Sequence, residues 1–354
     1  MAYMRSPCGG SIIIGDRKKD EEMSSAGRLV SVVVPVYNAA EYVESSIESI
    51  LTQDYPNIEL ILINDGSVDL SGEICENYAA KDSRVVYRYQ NNSGVSATRN
   101  HALSIAAGDY IVFVDSDDQL KAGAIRAMVQ ALEAEDADLC ICGYEIVMKD
   151  RVIPMPIGVE SVAGTENIAK YFAAHYLEAI ASSVWGKLYK RALLTAQFEA
   201  TVTMGEDLLF NFYYMQNIKK VYTISDTLYL YNQQNVNSLA NNYKMSYYDQ
   251  DMYVARHWIS WIEKYPDADL TNLYYRVSSA FFYCMQIACT KMDKSQRNAW
   301  LKEKSSQELL SAVAGSQHRY NPAQQLMFRL LRSRNYGLLS VVCKGYAALK
   351  QLRG

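Results

Sequence analysis

The chain has 354 residues, 49% of them hydrophobic and 21% charged, with a formal net charge of −4. That length allows about two domains, and the composition is that of a globular protein, not a fibrous or low-complexity one. The slightly acidic balance carries no whole-chain signature of nucleic-acid binding, and no apolar run approaches the ~20 residues that cross a bilayer. The seven cysteines (8, 75, 140, 142, 284, 289 and 343) lack paired metal-ligand spacing and the four histidines are scattered. Neither a zinc cluster nor a histidine-based triad is therefore signalled, and free thiols fit a reducing cytoplasm.

Residues 1–28 read as a disordered leader, with Met23 as an alternative start. The apolar stretch 12–14 is too short for a signal-peptide core, and 17–22 is a solvated mixed-charge run. Residues 29–36 are largely apolar with Pro35 near the end, the pattern of a strand buried on both faces. Val43, Ile47, Ile50 and Leu51 give 41–53 helical spacing. Strands are predicted at 58–63 and 85–89, with a helix at 70–80 between them. Residues 96–107 read as a helix stopped by Gly108. Residues 110–114 are a short aromatic and β-branched run, hence a buried strand. A helix at 122–133 and a strand at 139–144 follow.

Strands alternating with helices predict crossovers and a mostly parallel sheet flanked by helices. In such sheets ligands bind beyond the carboxyl ends of the strands. Three polar clusters fall at those ends: Tyr37-Asn38, Asp65-Gly66-Ser67, and Asp115-Ser116-Asp117-Asp118. Carboxylates crowded at the tip of a buried strand repel one another and are costly to desolvate. A divalent cation relieves both costs, and magnesium takes its other ligands from water and phosphates. Each cluster alone is equally a solvated turn; their convergence is what points to a metal–diphosphate crevice. There Tyr37 offers a ring for a base, Asp65 an acceptor for a base N–H, and Arg99 a guanidinium for phosphate or base. Taken singly, Arg99 reads rather as a surface helix arginine.

In the second half, 164–179 reads as a helix, and Trp185 sits on a polar-flanked loop at 184–191. Its indole suits either a sugar face or the core, and Lys187 is a candidate for phosphate contact. Glu206 and Asp207 precede an apolar helical run; alone they are an acidic first helical turn. Helical patterns continue at 247–263, 272–290 and 295–313. Residues 319–354 contain no acidic side chain but carry Arg319, Arg329, Arg332, Arg334, Lys344, Lys350 and Arg353. Leu326, Leu330 and Leu331, then Leu338, Val342, Tyr346 and Leu349, fall at helical spacing among them. This predicts an interfacial amphipathic helix on an anionic membrane face, the alternative being that the stripes pack on the preceding helices.

Four ordered segments, Val34-Pro35-Val36-Tyr37-Asn38, Asn64-Asp65-Gly66-Ser67, Gly94 to Asn100 and Val114 to Asp118, resemble the inverting family 2 glycosyltransferases of the GT-A fold. The resemblance covers residues 29–240. It implies an α/β, Rossmann-like GT-A domain there, with a C-terminal helical extension over 241–354. It also implies a nucleoside-diphosphate sugar donor, with Tyr37 stacked on uracil, Asp65 bonding its imide N–H and Arg99 supporting the nucleotide. Pro35, Asn38, Gly66 and Ser116 belong to the same donor-binding segments. Asp115 and Asp117 would hold manganese or magnesium, with Asp117 the direct ligand, and Asp207 would act as general base supported by Glu206. Tyr229-Leu230-Tyr231 and Asn237-Ser238-Leu239 resemble the segment that closes the domain. The implied activity is hexosyl transfer with inversion from a UDP-sugar to a glycan acceptor, often lipid-linked, in cell-surface polysaccharide assembly such as capsule or exopolysaccharide. The implied location is the cytoplasm, at the inner face of the plasma membrane. The rival from another class is a non-catalytic sugar-nucleotide or glycan-binding module, which predicts a damaged metal or base position, whereas Asp117 and Asp207 are both present. Donor sugar, acceptor and oligomeric state are not legible in the sequence.

Overall fold

The structure, a computed structural model, describes residues 27–234, 244–316 and 319–351. The leader up to residue 26 and the segment Asn237-Ser238-Leu239 lie outside the described residues. In chain order the first elements are β1 (Val30–Val36), α1 (Val43–Leu51), β2 (Ile58–Asp65), α2 (Ser71–Lys81), β3 (Val85–Gln90), α3 (Val95–Ile105), β4 (Tyr110–Phe113), β5 (Gln119–Leu120), α4 (Ala124–Ala134) and β6 (Leu139–Val147). Then come β7 (Val152–Met155), β8 (Ser161–Ala163), α5 (Thr165–Ala174), α6 (Ala179–Ser182), β9 (Lys187–Lys190), α7 (Glu206–Met215) and β10 (Lys220–Asn232). The helices α8 (Tyr248–Ile262), α9 (Thr271–Lys291), α10 (Lys294–Lys304), α11 (Gln307–Ser316), α12 (Pro322–Arg332) and α13 (Tyr336–Gln351) complete the described chain.

The strands form one sheet in the order β3-β2-β1-β4-β9-β6-β10-β5, with β7 on β6 and β8 on β10. Side chains alternate across it, as the period of a strand requires. Val32, Val34, Leu60, Leu62 and Val112 face one core with residues of α1, α2 and α4. Val33, Ile61, Ile63, Ile111 and Phe113 face the other, with residues of α3, α5 and α7. A sheet buried on both faces explains why β1, β2 and β4 read as unbroken apolar runs. The sheet is parallel across β3, β2, β1 and β4. Beyond that it is mixed, because β9 runs antiparallel between β4 and β6. "Mostly parallel" therefore describes its first half, and five strands on the other side, β5, β7, β8, β9 and β10, have no counterpart in the sequence reading.

Two local expectations change. Helix α3 ends at Ile105 and is not stopped by Gly108. The glycine is needed for close approach: its N–H donates to Ser31 Oγ at 2.9 Å, and a Cβ there would lie 2.6 Å from the Ser31 backbone nitrogen. The end of the supposed leader is also attached. Asn57 Nδ2 donates to the Gly27 carbonyl at 2.8 Å and the Tyr55 hydroxyl to the Arg28 carbonyl at 2.6 Å.

The C-terminal helices continue the core that contains Phe113, with Trp258 of α8 fully buried beside Phe172 and Phe212. The Trp258 indole N–H donates to the Leu208 carbonyl at 3.1 Å. In the tail, Met327, Phe328, Leu330, Leu331, Leu339 and Cys343 are buried. Leu330 and Leu331, expected on the membrane-facing stripe, thus pack internally, because α12 and α13 fold back as a pair with α13 on α9. Among the described residues no helix is long and apolar enough to cross a membrane.

Gly108→Ala should destabilise the fold by about 1–3 kcal/mol, the usual cost of overpacking against fixed backbone. Denaturant unfolding of the two proteins measures it.

Candidate active site

The site lies where β1, β2 and β4 end. Pairing of β1 with β4 stops at Val33 and Phe113, whereas pairing with β2 continues to Val36. Pro35 therefore lacks an N–H just where β4 no longer accepts one, which is how a central strand tolerates it. It is a strand residue at the point where the crevice opens.

The loops after β1 and β2 are stapled together. Asn38, in left-handed conformation (φ 47°), donates its N–H to Ser67 Oγ at 3.0 Å and accepts the Val68 N–H on Oδ1 at 2.9 Å. Ser71 Oγ accepts from the Ala39 N–H at 2.8 Å. Asn38 is thus occupied in shaping the rim, and the ring of Tyr37 beside it stays 52% exposed. Gly66 also has positive φ, 75°, and a Cβ would sit 2.8 Å from the Asn92 nitrogen, so only glycine fits there.

Asp65 differs from its sequence reading. It is buried and its Oδ1 accepts from Gln90 Nε2 and the Ser93 N–H, both at 2.8 Å. Its Oδ2 accepts from the Gly94 N–H at 2.9 Å. Of the four or so acceptor positions on a carboxylate, these bonds leave about one for a ligand. The main work of Asp65 is to hold the loop from β3 into α3, and so to aim α3.

Arg99 projects from the second turn of α3 and is buried. Its Nη2 donates to Asp115 Oδ1 at 3.0 Å and its Nη1 to Asp207 Oδ1 at 2.5 Å. Glu206 Oε1 lies 3.9 Å from Nη1, and the guanidinium sits over Phe198, 5.3 Å from the ring centre. Its Nε is buried without a hydrogen-bond partner. Burial opposes the charge on Arg99, and Asp207, Asp115 and Glu206 more than offset that effect. The three acidic residues assigned to metal and base work are therefore joined by one cation. Arg99 is a bridge between the two carboxylate groups, where the sequence reading gave it to the nucleotide.

Asp207 is the second residue of α7, which starts behind Gly205, whose left-handed backbone ends the preceding loop. Its side chain keeps 19% of its surface exposed. Burial pushes its pKa up, Arg99 pulls it down, and Glu206 and Asp115 raise it again, so it titrates at about 7. A carboxyl group with that value can accept a proton near neutral pH.

Asp118 is not available to a ligand. Its Oδ2 accepts the Tyr229 hydroxyl at 2.6 Å and its Oδ1 the Asn232 N–H at 2.7 Å. Burial, then Asp115, raise its pKa well above the usual carboxylate range. The Tyr229 hydroxyl also accepts the Asp115 N–H at 3.2 Å. The crowding that suggested a cation is thus partly relieved by the protein itself, through Arg99, Tyr229 and Asn232. What remains is one guanidinium against Asp115, Glu206 and Asp207, with the half-buried Asp117 and Ser116 in the same turn. Among the described residues no three acidic, histidine or cysteine side chains form a metal cage. Two carboxylates, Asp115 and Asp117, fit a hard divalent cation that draws its other ligands from water and phosphate.

Trp185 is stacked on Tyr229 (4.6 Å, 7° between planes) and Tyr231 (5.4 Å, 19°), with Tyr144 edge-on at 5.0 Å. It props the tyrosine that holds the acidic turn. Lys187 is a correction. Its Nζ donates to the Ala179 carbonyl, the Ser183 carbonyl and Ser183 Oγ at 3.1, 2.6 and 3.2 Å. With all three donors engaged by α6 and the Ser183 that follows it, it has none for a phosphate, and burial lowers its pKa to about 7. Sequence reasoning missed roles for Tyr229, Asn232 and Phe198. The alternation of Tyr229 and Tyr231 was the one visible signal.

Residues 31–179 match the family model described as Glycosyl transferase family 2. The chain is 35% identical over 217 residues to the uncharacterized glycosyltransferase EpsJ of Bacillus subtilis, covering 60% of this chain and 62% of EpsJ. It is 32% identical over 190 residues to the minor teichoic acid biosynthesis protein GgaB of the same organism, covering 50% of this chain and 20% of GgaB. The matched part thus spans less than two thirds of either relative. The structure of S. aureus TarS 1–349 in complex with UDP-GlcNAc superposes with a TM-score of 0.65 at 20% identity, over 90% of this chain and 91% of that one. The two share the GT-A fold.

Tyr229→Phe removes a buried donor to Asp118 and the acceptor of the Asp115 amide. The expected loss is about 1–3 kcal/mol, read by denaturant unfolding, with faster hydrogen exchange at the Asp115 amide.

Proposed function

We propose that the chain, whose residues 31–179 match the model of glycosyl transferase family 2, transfers a sugar, with inversion, from a uridine diphosphate donor to a hydroxyl of a cell-surface glycan. The observation that carries this reading is the Arg99 bridge. It holds a donor-side carboxylate, Asp115, and a carboxylate titrating near 7, Asp207, on the two prongs of one guanidinium.

The half-exposed ring of Tyr37 stacks on the base at the rim. Asp65 keeps the loop 91–94 and helix α3 in place, so that Arg99 fixes the direction of the Asp207 carboxylate. Asp207 takes the proton of the acceptor hydroxyl as that oxygen attacks the anomeric carbon. The new carbon–oxygen bond forms on the face opposite the leaving group, and the bond to the diphosphate oxygen breaks with its electron pair leaving on the diphosphate. One displacement inverts the centre, and no covalent enzyme intermediate is required. Asp115 and Asp117 would hold a magnesium or manganese ion, which supplies charge neutralisation of the leaving diphosphate. The teichoic acid role in the name of GgaB, and the UDP-GlcNAc in the TarS complex, support a nucleotide-sugar donor and a wall- or surface-glycan acceptor.

Asp207→Asn should lower kcat by about 10²–10⁴, the worth of a positioned general base, while UDP-sugar affinity measured by calorimetry stays nearly constant. Unchanged turnover in a UDP-sugar hydrolysis or transfer assay would reject Asp207 as the base. In the wild type, kcat should rise with pH through about 7 as Asp207 loses its proton. Because Arg99 lowers that pKa, Arg99→Gln should move this limb to higher pH; a limb that stays put would separate Asp207 from the observed titration. Chelation of divalent cations should abolish transfer and weaken UDP binding, both restored by adding manganese. Full transfer by the chelated enzyme would remove the cation from the reading.

A further inference from the structure

The last helix, α13, carries two apolar faces. The inner one is fully accounted for: Leu339 and Cys343 are buried, and Ser340 Oγ accepts from Arg297 of α10 at 2.9 Å and donates to the Cys289 carbonyl of α9 at 3.4 Å. The outer face is formed by Leu338, Val341, Val342, Gly345, Ala348 and Leu349, which follow one another at helical spacing without a charge among them. Leu338, Val341 and Leu349 are 49%, 66% and 59% exposed. A helix apolar all round is ordinarily covered on both sides, and here one side meets water. Arg332 and Arg334 stand exposed in the turn just before this face, and Lys344 stands exposed on its flank, three residues from Val341.

We propose that the outer face of α13 lies flat on an anionic lipid surface, with Leu338, Val341 and Leu349 in the headgroup–acyl boundary and Arg332, Arg334 and Lys344 on the lipid phosphates. Charge decides between this occupant and a second copy of the chain. Residues 319–351 contain no acidic side chain, and a two-fold contact through this face would set the same cations against each other. A layer of phosphates supplies the missing counter-charge, and basic side chains flanking an apolar helix face are how interfacial helices bind. At 16 residues α13 is too short to cross a bilayer, so it lies on the surface. The proposal rests on none of the crevice residues and stands or falls separately from the catalytic reading. It replaces the stripe read from sequence, since Val342 and Tyr346 are half-buried and Val341 is the most exposed apolar residue of the face.

The test is co-sedimentation of the full chain with mixed phosphatidylglycerol–phosphatidylcholine vesicles and with pure phosphatidylcholine vesicles. Binding is expected to the mixed vesicles only, weakening as salt rises. Leu338→Asp with Val341→Asp should abolish it. Arg332→Gln, Arg334→Gln and Lys344→Gln together should weaken it about 100-fold, from a factor of about five per basic residue at an anionic surface. All these positions are exposed, so both variants should keep the wild-type melting temperature. Equal binding to both vesicle types, or undiminished binding by the Gln variant, would overturn the proposal. A chain that ignores vesicles but forms a dimer that Leu338→Asp and Val341→Asp dissociate would assign the face to a second copy and overturn it equally.

Discussion

The guanidinium of Arg99 is the contact on which the crevice depends. It reaches Asp115, sixteen residues away, and Asp207, more than a hundred residues away. Three carboxylates packed this closely could not all stay ionised without a cation among them. The bridge also joins the sheet to a helix on its face, since Asp115 follows the parallel strand β4 and Asp207 lies at the start of α7, whose Phe210 packs on Phe113 at the end of β4 and on Tyr189 of antiparallel β9. Its position is set one step back. Asp65 holds the loop 91–94, that loop directs α3, and α3 carries Arg99. A motif that reads as a base-binding carboxylate thus acts first as the anchor of the cation opposite it.

On the other side, the acidic turn is held by β10. Tyr229 gives its hydroxyl to Asp118 and takes the Asp115 amide, and Trp185 stacks on the same ring. A buried carboxylate with two well-formed hydrogen bonds is a structural element, not a ligand. Asp118 thus serves the fold, while Asp115 of the same turn is the one that meets Arg99. The same economy governs Lys187, whose charge is engaged by carbonyls at the two ends of the short helix α6, those of Ala179 and the capping Ser183. Proximity to the site in sequence did not put it in the site.

The C-terminal helices follow a related constraint. Their inner faces extend the core around Phe113 and Trp258, and the segment 319–351 has cations but no acidic side chain of its own. Charge unbalanced within a segment must be met by water or by something outside it, which is why its exposed apolar face and its exposed arginines belong to one question.

Most of the elements, and the ends at which the motifs lie, were legible in the sequence. The apolar runs of β1, β2 and β4 and the helical spacing in α1, α4 and α7 depend on near neighbours only, so periodicity reveals them. The clusters at Tyr37, Asp65 and Asp115 fell at strand ends for the same reason. The strands β5, β7, β8 and β9 were not legible, because each is short and exists through a partner distant in the chain, and β10 was not read as a strand either, its pairing with β6 being broken by register shifts between Ile224 and Tyr229. The role of Gly108 depended on a backbone approach to Ser31, and the fate of Leu330 on the fold-back of α12 and α13. Above all, the chain alone showed which residues carry charge, but only the tertiary structure decided which charges meet. Periodicity is a property of neighbours a few residues apart, whereas the partner of a buried ion is fixed by where the sheet brings residues separated by a hundred positions.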